Sequence, residues 1–322
     1  MSTGLSPAPV LTVSVIMFTS RSSLIRCLDA LRVQQSAPAL EILVPHDDAL
    51  EDVDALRRQF PDVAFLTLTG SRTPAELRSH AVSRAAGRIV ALLEDHCIPE
   101  PDWCARIIAA HEATHAAIGG AVDKGFAPDK SDDGILNWAV YLTDYSRYMP
   151  PMAGGEAESL TDCNVTYKRA SLERVRTAWS PEFHENVVNG LLREQGDTLW
   201  FDPRILVREY RPLTVPKVLR DRYAFGRLFA STRVAGAPMP KRLIWAAASV
   251  VMPPVLAARA ARNLMIRRRH RGQIVRAMPG LLFVASVWML GEMIGYLTAS
   301  PGRLRAGRTA NGGGALASTA AP

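Results

Sequence analysis

The chain has 322 residues, 48% of them hydrophobic and 21% charged, with a formal net charge of +7. That length suits one large or two modest domains, with an apolar fraction slightly rich for a purely globular core. Through Val215 there are 21 basic and 29 acidic residues, a balance of −8, whereas from Pro216 onward 17 basic residues face 2 acidic ones, a balance of +15. The basic residues of the rear flank long apolar runs, which argues against nucleic acid as partner and for anionic lipid headgroups. Cys27, Cys97, Cys104 and Cys163 show no CxxC spacing and read as reduced thiols of a cytosolic domain. The apolar run Val10 to Phe18 is too short, and lacks the basic flank, for a signal peptide.

In chain order, Leu11 to Phe18 predicts a first strand, rich in β-branched residues, and Ser23 to Gln34 a helix with Leu24, Cys27, Leu28 and Leu31 at helical spacing. Glu41 to Val44 predicts a second strand ending in Pro45-His46-Asp47-Asp48, Val53 to Phe60 a helix, and Val63 to Leu68 a third strand. Thr73 to Ala86 predicts a helix with Pro74 near its start, and Ile89 to Leu93 a fourth strand. A helix from Asp102 to His115 and a strand from Ala117 to Val122 follow. Residues 123–160 read as an irregular segment with interleaved aromatics, suited to a lid or acceptor site. Asn164 to Tyr167 then predicts a strand, Ala170 to Arg176 and Val187 to Gln195 helices, and Leu199 to Phe201 and Ile205 to Val207 two strands. Strands alternating with helices predict a largely parallel sheet with both faces covered.

The fourth strand carries the sharpest signal: Ile89-Val90-Ala91-Leu92-Leu93 runs into Glu94-Asp95-His96, with Pro99 close behind. A buried strand ending in this way places three polar side chains at the carboxyl edge of the sheet, where ligands of open α/β sheets bind. Carboxylate oxygens suit a hard divalent cation bridging the protein to a diphosphate.

Over about residues 11–210 the sequence resembles a family-2 glycosyltransferase of the GT-A fold. The resemblance is carried by Val13 to Thr19, Arg26-Cys27-Leu28, Glu41 to Val44, Arg78 with Ala81 and Ala85 to Gly87, Glu94-Asp95-His96 in the place of Asp-x-Asp, Asp162 to Arg169, and Phe183-His184-Glu185-Asn186. It implies a GT-A domain over 1–215, with a Rossmann-like, mostly parallel sheet; the charge and apolar runs that follow predict a helical membrane-associated region over 216–305, and the Gly, Ala, Ser and Thr content a disordered tail over 306–322. By the same resemblance, Asp47 or Asp48, Arg78, Glu94 and Asp95 bind the nucleotide-sugar donor. Glu94 and His96 hold a divalent cation, with Mn²⁺ better tolerated than Mg²⁺ because imidazole is the softer ligand. Asn164, Lys168 and Arg169 contact acceptor or pyrophosphate. The family base segment is usually Glu-Asp; Asn186 cannot accept a proton, so Glu185 is the expected general base, with Asp162 second. Arg208 stands near the place of a metal-binding His of the family.

In the rear, the apolar runs Leu243 to Ala258 and Met278 to Ala299 bracket Arg262, Arg267-Arg268-Arg269-His270-Arg271 and Arg276. Two spanning helices would put this arginine-rich loop on the far side, against the positive-inside tendency. A re-entrant or interfacial arrangement on the cytoplasmic face of the cell membrane is therefore expected, with the loop on headgroups. The expected function is inverting transfer of a sugar from a nucleotide sugar to a lipid-linked or envelope glycan acceptor. A non-catalytic glycan-binding or scaffold relative is the alternative. A nucleotidyltransferase is disfavoured because Thr19-Ser20-Arg21-Ser22-Ser23 contains no glycine.

Overall fold

The computed structural model describes residues 9–128, 130 and 133–301. In chain order the elements are β1 (Leu11–Ile16), α1 (Arg21–Arg32), β2 (Leu40–His46), α2 (Val53–Gln59), β3 (Val63–Thr67), α3 (Pro74–Arg84), β4 (Ile89–Glu94), β5 (Cys97–Pro99), α4 (Trp103–Ala110) and β6 (Ala117–Lys124). They continue as α5 (Ile135–Tyr145), β7 (Gly155–Glu156), β8 (Asn164–Lys168), α6 (Arg169–Arg174), α7 (Arg176–Trp179), α8 (Glu185–Glu194) and β9 (Leu199–Glu209). The chain closes with α9 (Val215–Arg233), α10 (Met239–Ala248), α11 (Met252–Arg267) and α12 (Arg271–Thr298). The expected tail over 306–322 lies outside the described residues.

The chain divides into two compact units, Met1–Val122 with Ala153–Arg208, and Asp123–Met152 with Glu209–Pro322. This differs from the sequential cut expected at residue 215, because the segment 123–152 groups with the rear. That segment is not irregular either: it holds α5, whose Trp138, Ala139, Val140, Tyr141, Leu142 and Tyr145 are all buried. A helix apolar on nearly every side has no polar face to mark its period.

In the first unit the strands run in the order β3-β2-β1-β4-β8-β6-β9-β5, with β7 beside β9. β1 is parallel to β2 and to β4, and β2 is parallel to β3. β1 and β4 are buried along their whole length, which explains why they read as continuous apolar runs rather than alternating ones. Local chemistry starts the helices. Ser20 caps α1 by accepting from the Ser23 amide, and Thr73 and Glu76 form a reciprocal capping box at α3, with Pro74 at its start. Each such cap contributes about 1 kcal/mol. Leu199–Glu209 is one continuous strand, not two, because Pro203 lies inside it without ending it.

β8 departs from the parallel pattern. It is antiparallel to β4, with Ile89 opposite Lys168 and Leu93 opposite Asn164, and antiparallel to β6. Residues just before β8 therefore arrive at the edge where β4 ends, and residues at its end lie at the opposite edge.

The second unit is helical apart from the strand ends it includes. The stretch Met239–Arg267 and the helix Arg271–Thr298 are each long and apolar enough to cross a membrane, by length and composition. Large apolar side chains stand exposed on them, among them Leu243, Ile244, Val251, Ile266 and Val275.

Candidate active site

The site is built at the carboxyl edge of the first unit by four separate pieces of chain. Parallel pairing of β1 and β4 sets Ile16 against Glu94 at that edge. Antiparallel β8 brings Asp162 there from the other direction, α3 supplies Arg78, and the first turn of α8 supplies Glu185.

Arg78 is the centre. It is only 4% exposed, and one of its terminal nitrogens lies 2.6 Å from Glu94 Oε1 and 2.8 Å from Asp162 Oδ2. Its guanidinium sits 5.4 Å from the centroid of the Phe18 ring. Burial works against its charge, but the carboxylates of Asp162, Glu94 and Glu185 outweigh burial and hold the proton more firmly than usual.

Glu185 is 3% exposed. Burial, reinforced by the Asp162 carboxylate and opposed by Arg78, pushes its pKa up to about 8. A buried carboxyl facing another carboxylate keeps its proton near neutrality, the environment that tunes acids and bases for catalysis. Tyr167, also raised by burial and then by Glu185 and Asp162, donates its hydroxyl to Asn189 Oδ1 at 3.0 Å. Phe18, Tyr167 and Asn189 had no role in the sequence reading. Nothing in a linear motif marks the Arg78–Phe18 and Tyr167–Asn189 contacts, whose partners lie far apart in sequence.

The other expected residues fall into groups. Asp95 is fully buried and accepts from the backbone amides of Phe18, Thr19 and Ser20 at 2.8–3.1 Å. It shapes the β1–α1 loop. Asp47 is buried and accepts from the Arg72 and Ala49 amides, and Asp48, which is exposed, accepts from the Gly70 amide at 2.9 Å. The pair thus clasps the loop after β3.

Three expectations are corrected. Asn164 is fully buried: Trp103 Nε1 donates to its Oδ1 at 2.9 Å, and its Nδ2 donates to the carbonyls of Ala121 and Ile205. Its amide nitrogen ties β8 to β6 and β9. Lys168 pairs with Ile89 at the start of β4, and the Arg169 amide donates to Arg88 O. Glu94 lies five residues further along that strand, about 17 Å away. Lys168 and Arg169 therefore sit at the wrong end of the sheet for a phosphate at the Glu94 edge; Lys168 Nζ instead donates to Ala113 O. Arg208, which stands near the place of the family's metal-binding His, has its guanidinium bound to Glu100.

The cation expected at Glu94 and His96 meets a poor fit. Both side chains are fully buried, His96 Nε2 lies 3.4 Å from Glu94 Oε2, and Glu94 Oε1 is bound to Arg78. Among the described residues no group of three or more His, Cys, Asp or Glu is arranged to hold a metal ion. The fixed positive charge of the site is Arg78.

Among solved structures, the chain is similar to a mannosyltransferase of Pyrobaculum calidifontis determined in complex with GDP-Man and Mn²⁺. The two are 18% identical, 91% of this chain and 86% of that one are covered, and the TM-score is 0.47. No curated protein matches. Residues 12–176, from β1 through α3, the Glu94 edge and β8 to the start of α7, match the family Glycosyl transferase family 2. With the GT-A arrangement of the sheet and the Arg78-centred edge inside that match, the chain belongs to glycosyl transferase family 2 and is a glycosyltransferase.

Proposed function

We propose that the protein is an inverting glycosyltransferase that moves a sugar from a nucleotide-sugar donor to a lipid-linked or envelope glycan acceptor at the cytoplasmic face of a membrane. The observation that carries this reading is one buried guanidinium, Arg78, among three carboxylates, Glu94, Asp162 and Glu185. In a single displacement the acceptor hydroxyl attacks the anomeric carbon as the nucleoside diphosphate leaves from the opposite face, which inverts that carbon. Glu185, deprotonated, accepts the hydroxyl proton as the new bond forms. Arg78 draws the leaving diphosphate towards the edge and offsets its charge. Asp162, held by Arg78, raises the basicity of Glu185. No step is routed through a cation at Glu94 and His96.

The membrane reading is supported by the +15 balance from Pro216 onward and by the exposed apolar side chains of α10, α11 and α12. Part of the arginine-rich turn is engaged within the unit, while Arg268 stands exposed. Arg267 donates to the carbonyls of Ser146 and Arg147, Arg269 pairs with Asp123 at 2.7 Å, and Arg271 donates to Met265 O. These guanidiniums cap helix ends and hold the 123–150 segment. Lipid contact then falls to the apolar faces and to exposed arginines, Arg268 among them.

The deciding experiment incubates the purified full-length chain and its Glu185→Gln variant with a panel of nucleotide sugars. Release of nucleoside diphosphate by the parent, lost in the variant while calorimetric donor binding persists, supports the reading. Donor binding without turnover in either protein would favour the non-catalytic relative, an outcome kept in view by Asn186 in the base segment.

A further inference from the structure

We infer that the rear unit lies in the headgroup–acyl boundary of an anionic membrane and that neither of its long apolar stretches crosses the bilayer. This rests on the membrane reading above and decides its geometry.

The argument starts from α9. Its nineteen residues carry Lys217, Arg220, Asp221, Arg222, Arg227 and Arg233, too many charges for a lipid-embedded helix. Yet α9 is packed against α12 at backbone distance. A Cβ on Gly226 would collide with Trp288 O, one on Gly291 with Tyr223 O, and one on Gly295 with Arg227 O. From Tyr223 beside Gly291 to Arg227 beside Gly295 both helices advance by one turn, and Arg227 also reaches Ser300 O past the end of α12, so α9 and α12 run in parallel and share their level. Whatever depth α12 takes, α9 takes with it.

The consequence is severe for a spanning α12. Arg222 precedes Tyr223 and is therefore level with Gly291, well inside the apolar stretch of α12. There it holds Asp144 through two bonds of 2.7 Å, and Arg211 lies 3.5 Å from the same carboxylate. Exposed Arg220 is close by on the same helix. A spanning α12 would draw this ion cluster into hydrocarbon. At the far end, Arg242 donates to the Tyr296 and Leu297 carbonyls and Arg227 to Ser300 O, so the end of α12 is also ringed with guanidiniums.

The exposed face of α11 fits a boundary and not a hydrocarbon core. Val255, Arg259, Arg262 and Ile266 recur at helical spacing and are all exposed. Apolar side chains that dip into acyl chains, alternating with arginines that reach headgroups, are the pattern of an interfacial helix.

The test uses cysteine accessibility, because the four native cysteines are buried. Single variants Glu51→Cys, Ala235→Cys, Arg268→Cys and Thr298→Cys of the full-length chain are prepared in sealed inverted vesicles and treated with a membrane-impermeant maleimide. Glu51→Cys reports the side that carries the first unit, and Ala235→Cys and Thr298→Cys independently report the same end of the helices. All four labelling from one side, with no gain when detergent is added, is the expected result. Labelling only after detergent of Ala235→Cys with Thr298→Cys, or of Arg268→Cys, while Glu51→Cys labels before it, would show crossing helices and overturn the inference with the membrane reading intact. A chain that does not sediment with the vesicles at all would overturn the membrane reading itself and the inference with it.

Discussion

Two buried arginine–carboxylate clusters lie in different parts of the molecule, and their stoichiometry separates chemistry from architecture. In the first unit one guanidinium, Arg78, serves Glu94 and Asp162 directly and feels Glu185 as well. In the second unit one carboxylate, Asp144, is held by two guanidiniums, those of Arg222 and Arg211. A carboxylate between two arginines has both of its oxygens engaged by cations. An arginine among three carboxylates leaves negative charge in excess, and Glu185, raised by burial first and by the Asp162 carboxylate second, is held protonated near neutrality. Both clusters are buried, so burial alone does not distinguish a site from a fastening; the surplus sign of charge does.

The comparison is broken most directly at its centres. Arg78→Met leaves Glu94, Asp162 and Glu185 buried without their cation. We expect loss of donor binding in calorimetry together with destabilisation of about 3–5 kcal/mol in denaturant melts. Retained donor affinity in a folded variant would remove Arg78 from the donor site. Glu185→Gln keeps the shape of the side chain and removes its basicity, so turnover should fall about 10²–10⁴-fold with donor binding kept. Turnover within a few-fold of the parent would pass the base role to Asp162.

Arg222→Met should destabilise the second unit by a similar amount, about 3–5 kcal/mol, because Asp144 loses its bidentate partner. It should leave the pH dependence of turnover unmoved, since no proton of the reaction resides there. A shifted pH profile in this variant would mean that the two clusters are coupled.

The pH dependence sharpens the contrast further. The folded pKa of Glu185, about 8, lies above its unfolded value near 4.5, so the native state binds the extra proton. Its contribution to stability is full below the unfolded pKa and is lost as pH rises through about 8. Between these limits unfolding free energy should fall with rising pH while kcat/KM rises, and Glu185→Gln should flatten the stability slope. Chemical denaturation at stepped pH reads this directly, and an unchanged slope in the variant would assign the titration elsewhere. The smallest effect belongs to Lys168→Ala and Arg169→Ala, which should leave donor affinity within about twofold, because the strand spacing separates them from the Glu94 edge by about 17 Å. A large loss of affinity in either would contradict the register of β8.

Much of the architecture was legible in the residues themselves. The alternation of apolar strands and amphipathic helices through β4 follows from periodicity, and the capping box at Thr73 and Glu76 marks its own helix. The polar end of β4 and the acidic segment at Glu185 pointed to side chains that the fold does gather around Arg78, because a carboxylate after a buried strand or at a helix start is visible locally. What local pattern does not contain is direction. Asn164 to Lys168 reads as a strand whichever way it runs, and only its antiparallel pairing with β4 sends Asp162 to the active edge and Lys168 and Arg169 to the other. Partnership is likewise a tertiary matter. Arg267 and Arg269 look like a lipid-facing patch in sequence, yet the fold brings carbonyls and Asp123 within their reach. Glu94 and His96 read as metal ligands in sequence, and only the fold shows that Arg78, sixteen residues before Glu94, binds its Oε1. Strand direction and ion pairing are fixed by contacts distant in sequence, and the strength of each depends on burial that only the packed molecule creates.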